Sequence, residues 1–469
     1  MAERYDLIVI GAGPAGVKGA EKAAKYGKRV ALIERAPYIG GAGINTGTIP
    51  SKTLRESALY FSGLRQRGLY GIDYSLKENL SIRDFTYRER LVVKKERELT
   101  RQSLRNQNIS TIHGFASLKD AHTVHIKLKN IERNISGEII LIATGSSPLH
   151  PPDIPFDAKL IFDSDTILDM DHIPKTMAVV GGGVIGTEYA SIFTALGVKV
   201  CLIEPRGRIV GFADAEITDR LTNQLQHLGL NFLFADRMTA IKTHNDHVQL
   251  TLERGGLVTF EVALIAAGRQ SNVEGLGLER VGIKLGERGL VLVNENLQTN
   301  IPNIYAVGDV IGFPALASTS MEQARVAIAH AFNLSYKERL SSVLPLAIYS
   351  IPEISMVGLT EAQCIEKKTP YLVGCAYYAD NARGQIIGEM SGMLKLLFSP
   401  IDRKILGVHI IGEQASELIH IASHTMMANG TIDTFIDAVY NYPTLAGLYE
   451  QAAYDGLGSY EKWMKRNPS

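Results

Sequence analysis

The chain has 469 residues, 45% of them hydrophobic and 44 of them glycine, which is enough for several domains that each bury a core. Forty-nine basic residues balance 49 acidic ones without any Lys/Arg block, which argues against a nucleic-acid surface or an anionic membrane partner and leaves small-molecule chemistry. No apolar stretch approaches the length of a membrane span, and the three cysteines, Cys201, Cys364 and Cys375, form neither a CxxC pair nor a zinc spacing, as suits a reducing compartment.

Residues 4–10 form a β-rich apolar run that begins too near Met1 to leave room for a signal peptide, so a cytoplasmic location is expected. The run leads into Gly11-Ala12-Gly13-Pro14-Ala15-Gly16, a helical stretch to about Gly27, and a second strand over 28–33 that ends at Glu34 and Arg35. The plan returns at 176–180, followed by Gly181-Gly182-Gly183-Val184-Ile185-Gly186, a helix to about Leu196 and a strand over 199–203 ending at Glu204. Cys201 lies in that apolar run and reads as a core residue. Gly11 to Glu34 and Gly181 to Glu204 are both 23 positions apart. One GxGxxG is a weak signal, whereas two copies with strand, helix and acid in matching places predict two dinucleotide sites. The first glycine permits a tight turn, the second lets the backbone approach the pyrophosphate, and the third lets helix and strand pack closely. The phosphates rest on the helix N-terminus, where free N–H groups and the positive end of the dipole face them. Glu34 and Glu204 are expected to accept hydrogen bonds from ribose hydroxyls.

Between and after the repeats stand residues 40–52, GGAGINTGTIPSK, and two runs that read as sheet-closing strands. One covers 138–144 and enters Ala143-Thr144-Gly145-Ser146; the other covers 262–266 and enters Ala267-Gly268-Arg269. Tyr305-Ala306-Val307-Gly308-Asp309 follows. From about Leu346 the pattern changes: alternation over 353–411 with turn signals at 381–384 and 400–403 predicts an antiparallel meander. Helical stretches near 413–427, 432–440 and 444–457 come next, then a polar tail at 462–466 around Trp463 that is expected to be loosely ordered. Glu417, His420 and His424 share a helix face at ligand-like spacing, but no further ligand accompanies them and no metal is expected. The fold class is α/β, with two Rossmann-like dinucleotide-binding domains and a C-terminal α+β domain.

The glycine loops, the Asp309 motif and residues 40–52 together resemble the pyridine nucleotide-disulfide oxidoreductases, the flavoenzyme family of dihydrolipoamide dehydrogenase and glutathione reductase. The likeness runs from residue 4 to about 458. It implies a glutathione reductase-like fold with FAD-binding parts at 1–149 and 276–345, an NAD(P)-binding domain at 150–275, and a dimerisation domain at 346–469 that makes a homodimer or a higher homo-oligomer. Asp309 then binds the ribityl chain and flavin phosphates, which assigns FAD to the first site and the nicotinamide nucleotide to the second. The implied flavin contacts are Gly11, Gly13, Pro14, Ala15, Gly16, Glu34, Arg35, Gly41, Thr46, Gly47, Thr48, Lys52, Phe115, Ala116, Thr144, Gly145, Ser146, Gly308, Asp309, Leu316, Ala317 and Ser318. For the second nucleotide they are Gly181, Gly183, Val184, Ile185, Gly186, Glu204, Arg206 and Arg208, with Gly268 and Arg269 after the second closing strand.

Two departures from the family pattern shape the expected chemistry. The family segment carries two cysteines that form a redox disulfide; here their positions hold Gly43 and Thr48, and neither offers a thiolate for disulfide exchange. The family also has a histidine and a glutamate in a pattern like HPTxxE as acid-base pair, where this chain has Tyr442 and Gly447. A tyrosine with a pKa near 10 is a poor proton shuttle at neutral pH. Lys52 and Glu188 remain, and the resemblance places them as a catalytic pair close to flavin N5. Residues 46–52, 316–318, 349–355 and 441–444 look like those of the soluble, Si-specific NAD(P) transhydrogenases, which commonly keep the first cysteine and an acid at position 447. The implied activity is ping-pong hydride transfer through FAD, NADPH + NAD+ giving NADP+ + NADH. The alternatives are an NAD(P)H-dependent flavin reductase acting on quinones, dyes or oxygen, and a non-catalytic scaffold that responds to NAD(P)H. Glu204 favours NAD, while Arg206 and Arg208 are either a clamp for a 2′-phosphate or solvated loop charges.

Overall fold

A computed structural model describes residues 3–63, 80–128 and 131–467. They divide into two compact units, the first made of residues 1–53, 86–151 and 267–341, the second of 54–85, 152–266 and 342–469.

In the first unit the β-branched runs Glu3–Ile10, Val30–Glu34, Ser110–His113, Ile131–Ile142 and Ile304–Ala306 pair in parallel, with Leu7 opposite Val30 and Ile140 between Ile8 and Ile304. Such a sheet must be covered on both faces. Leu7 and Val9 bury with Ala20 and Ala23 of helix Pro14–Lys25 and Ala324 and Ile328 of helix Ala317–Ala331. Ile8 and Ile10 point the other way, into a cluster with Leu118, Val124 and Ile126 of an antiparallel ribbon, Phe115–Leu118 and Thr123–Leu128. The closing strand starts at Ile131 rather than at 138, because its first half pairs with Thr123–Leu128.

The second unit contains a parallel sheet in the order Asn231–Phe234, Lys199–Glu204, Thr176–Val180, Val262–Ile265, Ile161–Phe162. Helix Val184–Ala195 lies over it and is buried along most of its length. Cys201 is 9% exposed in the core of this sheet, and burial pushes its thiol up to about 11, as befits an inert cysteine.

The C-terminal sheet is antiparallel, as the alternation predicts, but it is not a simple meander. Its order is Leu346–Ile348, Ile354–Gly358, Ile405–Ile411, Met393–Phe398, Leu372–Tyr377, so the last strand in sequence sits in the centre. The expected turn at 381–384 is the start of helix Ala382–Ile387, whose Arg383 and Gly384 N–H groups donate to the Asn381 side chain. The second of the three helices, Ile432–Asp437, ends earlier than 440 because the backbone is extended from Ala438. The expected loose tail is also corrected: helix Leu448–Arg466 carries through it, with Tyr460 stacked on Trp463 and packed on the core. This helix sits tightly on the sheet, since a Cβ at Gly374 would meet the Ala452 carbonyl oxygen at 2.1 Å.

His409 in the central strand is 1% exposed; its Nε2–H donates to the Leu359 carbonyl at 2.9 Å, and Nδ1 is buried with no hydrogen-bond partner. Burial depresses its pKa, outweighing the attraction of Asp214. An unfolded chain therefore takes up the proton first, and stability is lost as pH falls below about 6.5, the ordinary histidine value. His409→Gln is expected to lose less thermal stability than the parent between about pH 7 and about pH 5. Melting curves at the two values check this.

Candidate active site

In the first unit the glycine loop is shaped by contacts that leave no room for side chains. Gly11 has φ +103°, and a Cβ there would meet the Ala143 carbonyl oxygen at 2.4 Å; a Cβ at Gly16 would meet the Gly11 carbonyl oxygen at 1.9 Å. Gly13 differs, for its Cβ would meet nothing closer than 3.9 Å, so this glycine keeps the backbone open to a ligand rather than to the fold. A Cβ at Gly308 would lie 3.5 Å from both Ala15 and Ser320, and one at Gly19 lies near Ala324. Helices Pro14–Lys25 and Ala317–Ala331 thus run parallel, and both N-termini, Leu316 capping the second, open at one end with Asp309. Asp309 Oδ2 accepts from Ser146 Oγ at 2.7 Å, and Arg269 donates to that same Oγ at 2.8 Å and to the Ser146 carbonyl at 2.7 Å. Thr144 Oγ1 beside them is buried without a hydrogen-bond partner. Ala116 is a core residue of the opposite face, and Phe115 packs with it.

The second unit repeats this design bond for bond. A Cβ at Gly181 would meet the Ala266 carbonyl oxygen at 2.5 Å, and one at Gly186 the Gly181 carbonyl oxygen at 1.9 Å. The acids match too. Glu34 accepts from Ala12 N and Ala36 N, both at 2.8 Å; Glu204 accepts from Gly182 N at 2.6 Å and Arg206 N at 2.9 Å. Each acid therefore ties its glycine loop to the turn after the second strand, a structural duty that the ribose reading did not include. Only its repetition in both copies could have hinted at this. Glu204 is 2% exposed and also holds the Arg206 guanidinium, at 2.7 Å to Nε. Burial raises its pKa, but the Arg206 side chain and the two N–H groups outweigh this and hold the carboxyl below its ordinary range. Arg208 is paired with Asp219 of helix Ala215–Leu228 at 3.0 Å.

Glu188 lies on helix Val184–Ala195, 4% exposed, and its Oε1 accepts from Tyr349 N at 2.9 Å. The residue that organises that neighbourhood is one the sequence did not single out. Arg55, 3% exposed, donates from Nε to the Ser350 carbonyl at 2.9 Å and reaches Glu353 at 3.2 Å, while Glu353 accepts from Ser416 N at 3.1 Å. Residues 349–353 are thereby fixed by buried charge.

In the first unit, short helix Gly41–Asn45 is held by Asn45, which donates to the Ile39 and Gly41 carbonyls, and Thr48 opens helix Thr48–Ser62, whose residues up to 53, Lys52 among them, belong to that unit. A Cβ at Gly43 would lie 2.5 Å from Pro14 Cγ. The double variant Gly43→Cys, Thr48→Cys is expected to lose about 1–3 kcal/mol from overpacking and to gain no disulfide reductase activity. Denaturant unfolding and a dithiol-disulfide assay check both halves. Tyr442 is 86% exposed, and its loop is tied down where Asn381 Nδ2 donates to the Thr444 carbonyl at 3.3 Å.

These features define the class: a protein with two dinucleotide-binding folds of one design. The chain belongs to the pyridine nucleotide-disulphide oxidoreductase family, whose model matches residues 5–331, with the family's dimerisation domain matched at 344–453. It is 44% identical over 453 residues to a soluble pyridine nucleotide transhydrogenase of Mycobacterium bovis, covering 96% of this chain and 97% of that protein. A protein of the same name from Marinobacter nauticus is 41% identical, with 97% and 99% covered. Among solved structures, a copper(II) complex of an HOCl-induced flavoprotein disulfide reductase from Escherichia coli aligns with a TM-score of 0.87 at 28% identity, covering 97% of this chain and 99% of that one.

The first-unit cradle fits the FAD that the family implies. Its glycines leave backbone exposed at two parallel helix N-termini where a pyrophosphate can lie, and the unpartnered Thr144 hydroxyl offers a hydrogen bond. No described helix is long and apolar enough to cross a membrane.

Proposed function

We propose that this protein is an FAD-dependent, Si-specific pyridine nucleotide transhydrogenase, converting NADPH and NAD+ to NADP+ and NADH. The observation that carries the reading is the duplicated acid-tied glycine loop, one copy with Asp309 and one with Glu188 at the start of its helix's second turn. When bound, FAD would supply the hydride-carrying chemistry that links one nicotinamide to another. Helix N-termini at Pro14 and Val184 would hold the two pyrophosphates, and Asp309, bonded by Ser146, which Arg269 in turn holds, would orient the flavin's ribityl end. Glu188, held by Tyr349 N, positions the nicotinamide. Gly43 and Thr48 supply no thiolate, and Tyr442 and Gly447 supply no proton-transfer pair. A hydride exchanged between two nicotinamides leaves no substrate proton to relay, so both absences suit the reaction.

Residues 1–149 and 276–345 serve the flavin, 150–275 the nicotinamide nucleotide, and 346–469 pairing with a second copy in the cytoplasm. The test is anaerobic mixing of the yellow protein with NADPH and thio-NAD, following thio-NADH. Faster turnover with a quinone than with thio-NAD sinks the proposal in favour of a flavin reductase. No turnover with either supports the scaffold.

For NADPH to bind, its 2′-phosphate must draw Arg206 from Glu204, with Arg208 nearby on the same loop. Arg206→Ala is expected to raise the NADPH KM about tenfold, the worth of one charged hydrogen bond, with little change for NADH. Steady-state kinetics with each nucleotide reads this directly.

A further inference from the structure

Lys395 stands in the middle of strand Met393–Phe398 and is 1% exposed. Lysine is almost never buried so fully unless its charge is paired, and here three acids surround it. Its Nζ donates to Asp214 Oδ1 at 2.9 Å, lies 3.2 Å from Glu216 Oε2, and also donates to Glu361. Burial opposes the charge on Lys395, but the bonds from Glu361 and Asp214 raise its pKa above the ordinary lysine value. Tyr371 donates to Glu361 at 2.8 Å, Arg220 lies 3.4 Å from Glu216, and the buried His409 is the cross-strand neighbour of Lys395.

What Lys395 grips is the start of a helix. Asp214, also 1% exposed, is the N-cap of Ala215–Leu228, its Oδ1 accepting from Glu216 N at 3.2 Å. The loop that ends at Asp214 is the one that begins at Glu204 and carries Arg206 and Arg208. It has little freedom of its own. Ile209 and Val210 are buried, Val210 N donates to the Gly182 carbonyl of the glycine loop at 2.8 Å, Ala213 N donates to the Val210 carbonyl at 2.9 Å, and Arg208 is paired to the helix itself through Asp219. A displacement of the helix start is therefore transmitted to Val210, to the glycine loop and to Arg208.

We infer that Lys395 and Asp214 form a positioning pair for nucleotide specificity, holding the Arg206–Arg208 loop where a ribose 2′-phosphate is read. The inference rests on the proposed role of that loop. Neither residue touches the nucleotide; each acts through the helix start. An apolar residue could fill the space of Lys395, but it could not fix the cap from the opposite sheet.

The experiment compares Lys395→Met, Lys395→Arg, Asp214→Ser and Arg206→Ala as FAD-loaded full-length proteins, measuring KM and kcat for NADPH and for NADH. Serine at 214 keeps a cap acceptor and removes the anion, so it decides the matter should Lys395→Met fail to fold. Lys395→Met and Asp214→Ser are expected to raise the NADPH KM by about tenfold, with kcat and the NADH KM each within about twofold, and Lys395→Arg to restore most of the loss. Arg206→Ala without effect on the NADPH KM overturns the reading of the loop. An effect of Arg206→Ala, together with an unchanged NADPH KM or an equal rise for both nucleotides in the 395 and 214 variants, overturns the positioning role alone.

Discussion

Gly186→Ala is expected to give a yellow protein that neither NADPH nor NADH reduces, whereas Gly16→Ala is expected to purify without flavin. The two substitutions are chemically identical and meet the same obstacle, a Cβ placed 1.9 Å from the carbonyl oxygen of the loop's first glycine. Backbone cannot yield to that distance, so helix and strand must separate, carrying the helix N-terminus away from the phosphates it serves. Misplacing bound groups by about 1 Å already costs on the order of 10²-fold in rate, so in Gly186→Ala the loss of flavin reduction should be at least that large. Visible absorbance of the purified proteins and anaerobic flavin reduction by each nucleotide separate the two outcomes. Loss of flavin from Gly186→Ala, or its retention in Gly16→Ala, would contradict the assignment of the cradles.

The repeats were legible because their signals are local. Gly11, Gly16 and Glu34 lie within one strand-turn-helix-strand unit, as do Gly181, Gly186 and Glu204, and the residue types follow from the backbone approach that each position demands. The C-terminal helices were legible for the same reason, up to the last one, where polar residues after 457 hid a stripe through Tyr460. What was not legible joins residues far apart in sequence. Strand order in the C-terminal sheet depends on which long connection crosses which edge, and alternation says nothing of that. Lys395 finds Asp214 across 181 positions, and Arg55 finds Ser350 across 295; before folding each reads as an ordinary surface cation. The acids Glu34 and Glu204 were recognised by position, but their bonds to the glycine loops came only from the three-dimensional arrangement.

Arg55→Met is expected to destabilise the protein by about 3–5 kcal/mol, because it leaves Glu353 charged, 6% exposed and without its main counter-charge. Methionine fills much of the arginine's volume, so the loss reflects charge and hydrogen bonding more than a cavity. Adding Glu353→Gln should recover most of it: the amide carries no charge to strand, and its oxygen can still accept from Ser416 N. The double-mutant cycle is thus expected to show strong coupling between the two sites. A second consequence is catalytic. Arg55 holds the Ser350 carbonyl, and the neighbouring Tyr349 N–H holds Glu188, so the single variant should slow hydride transfer even when folded and flavin-loaded. In the double variant stability returns while Ser350 remains ungripped, so the transfer rate should stay low. Denaturant unfolding gives the first quantity and stopped-flow flavin reduction the second; recovery of both together would mean that Arg55 acts on Glu188 only through global stability.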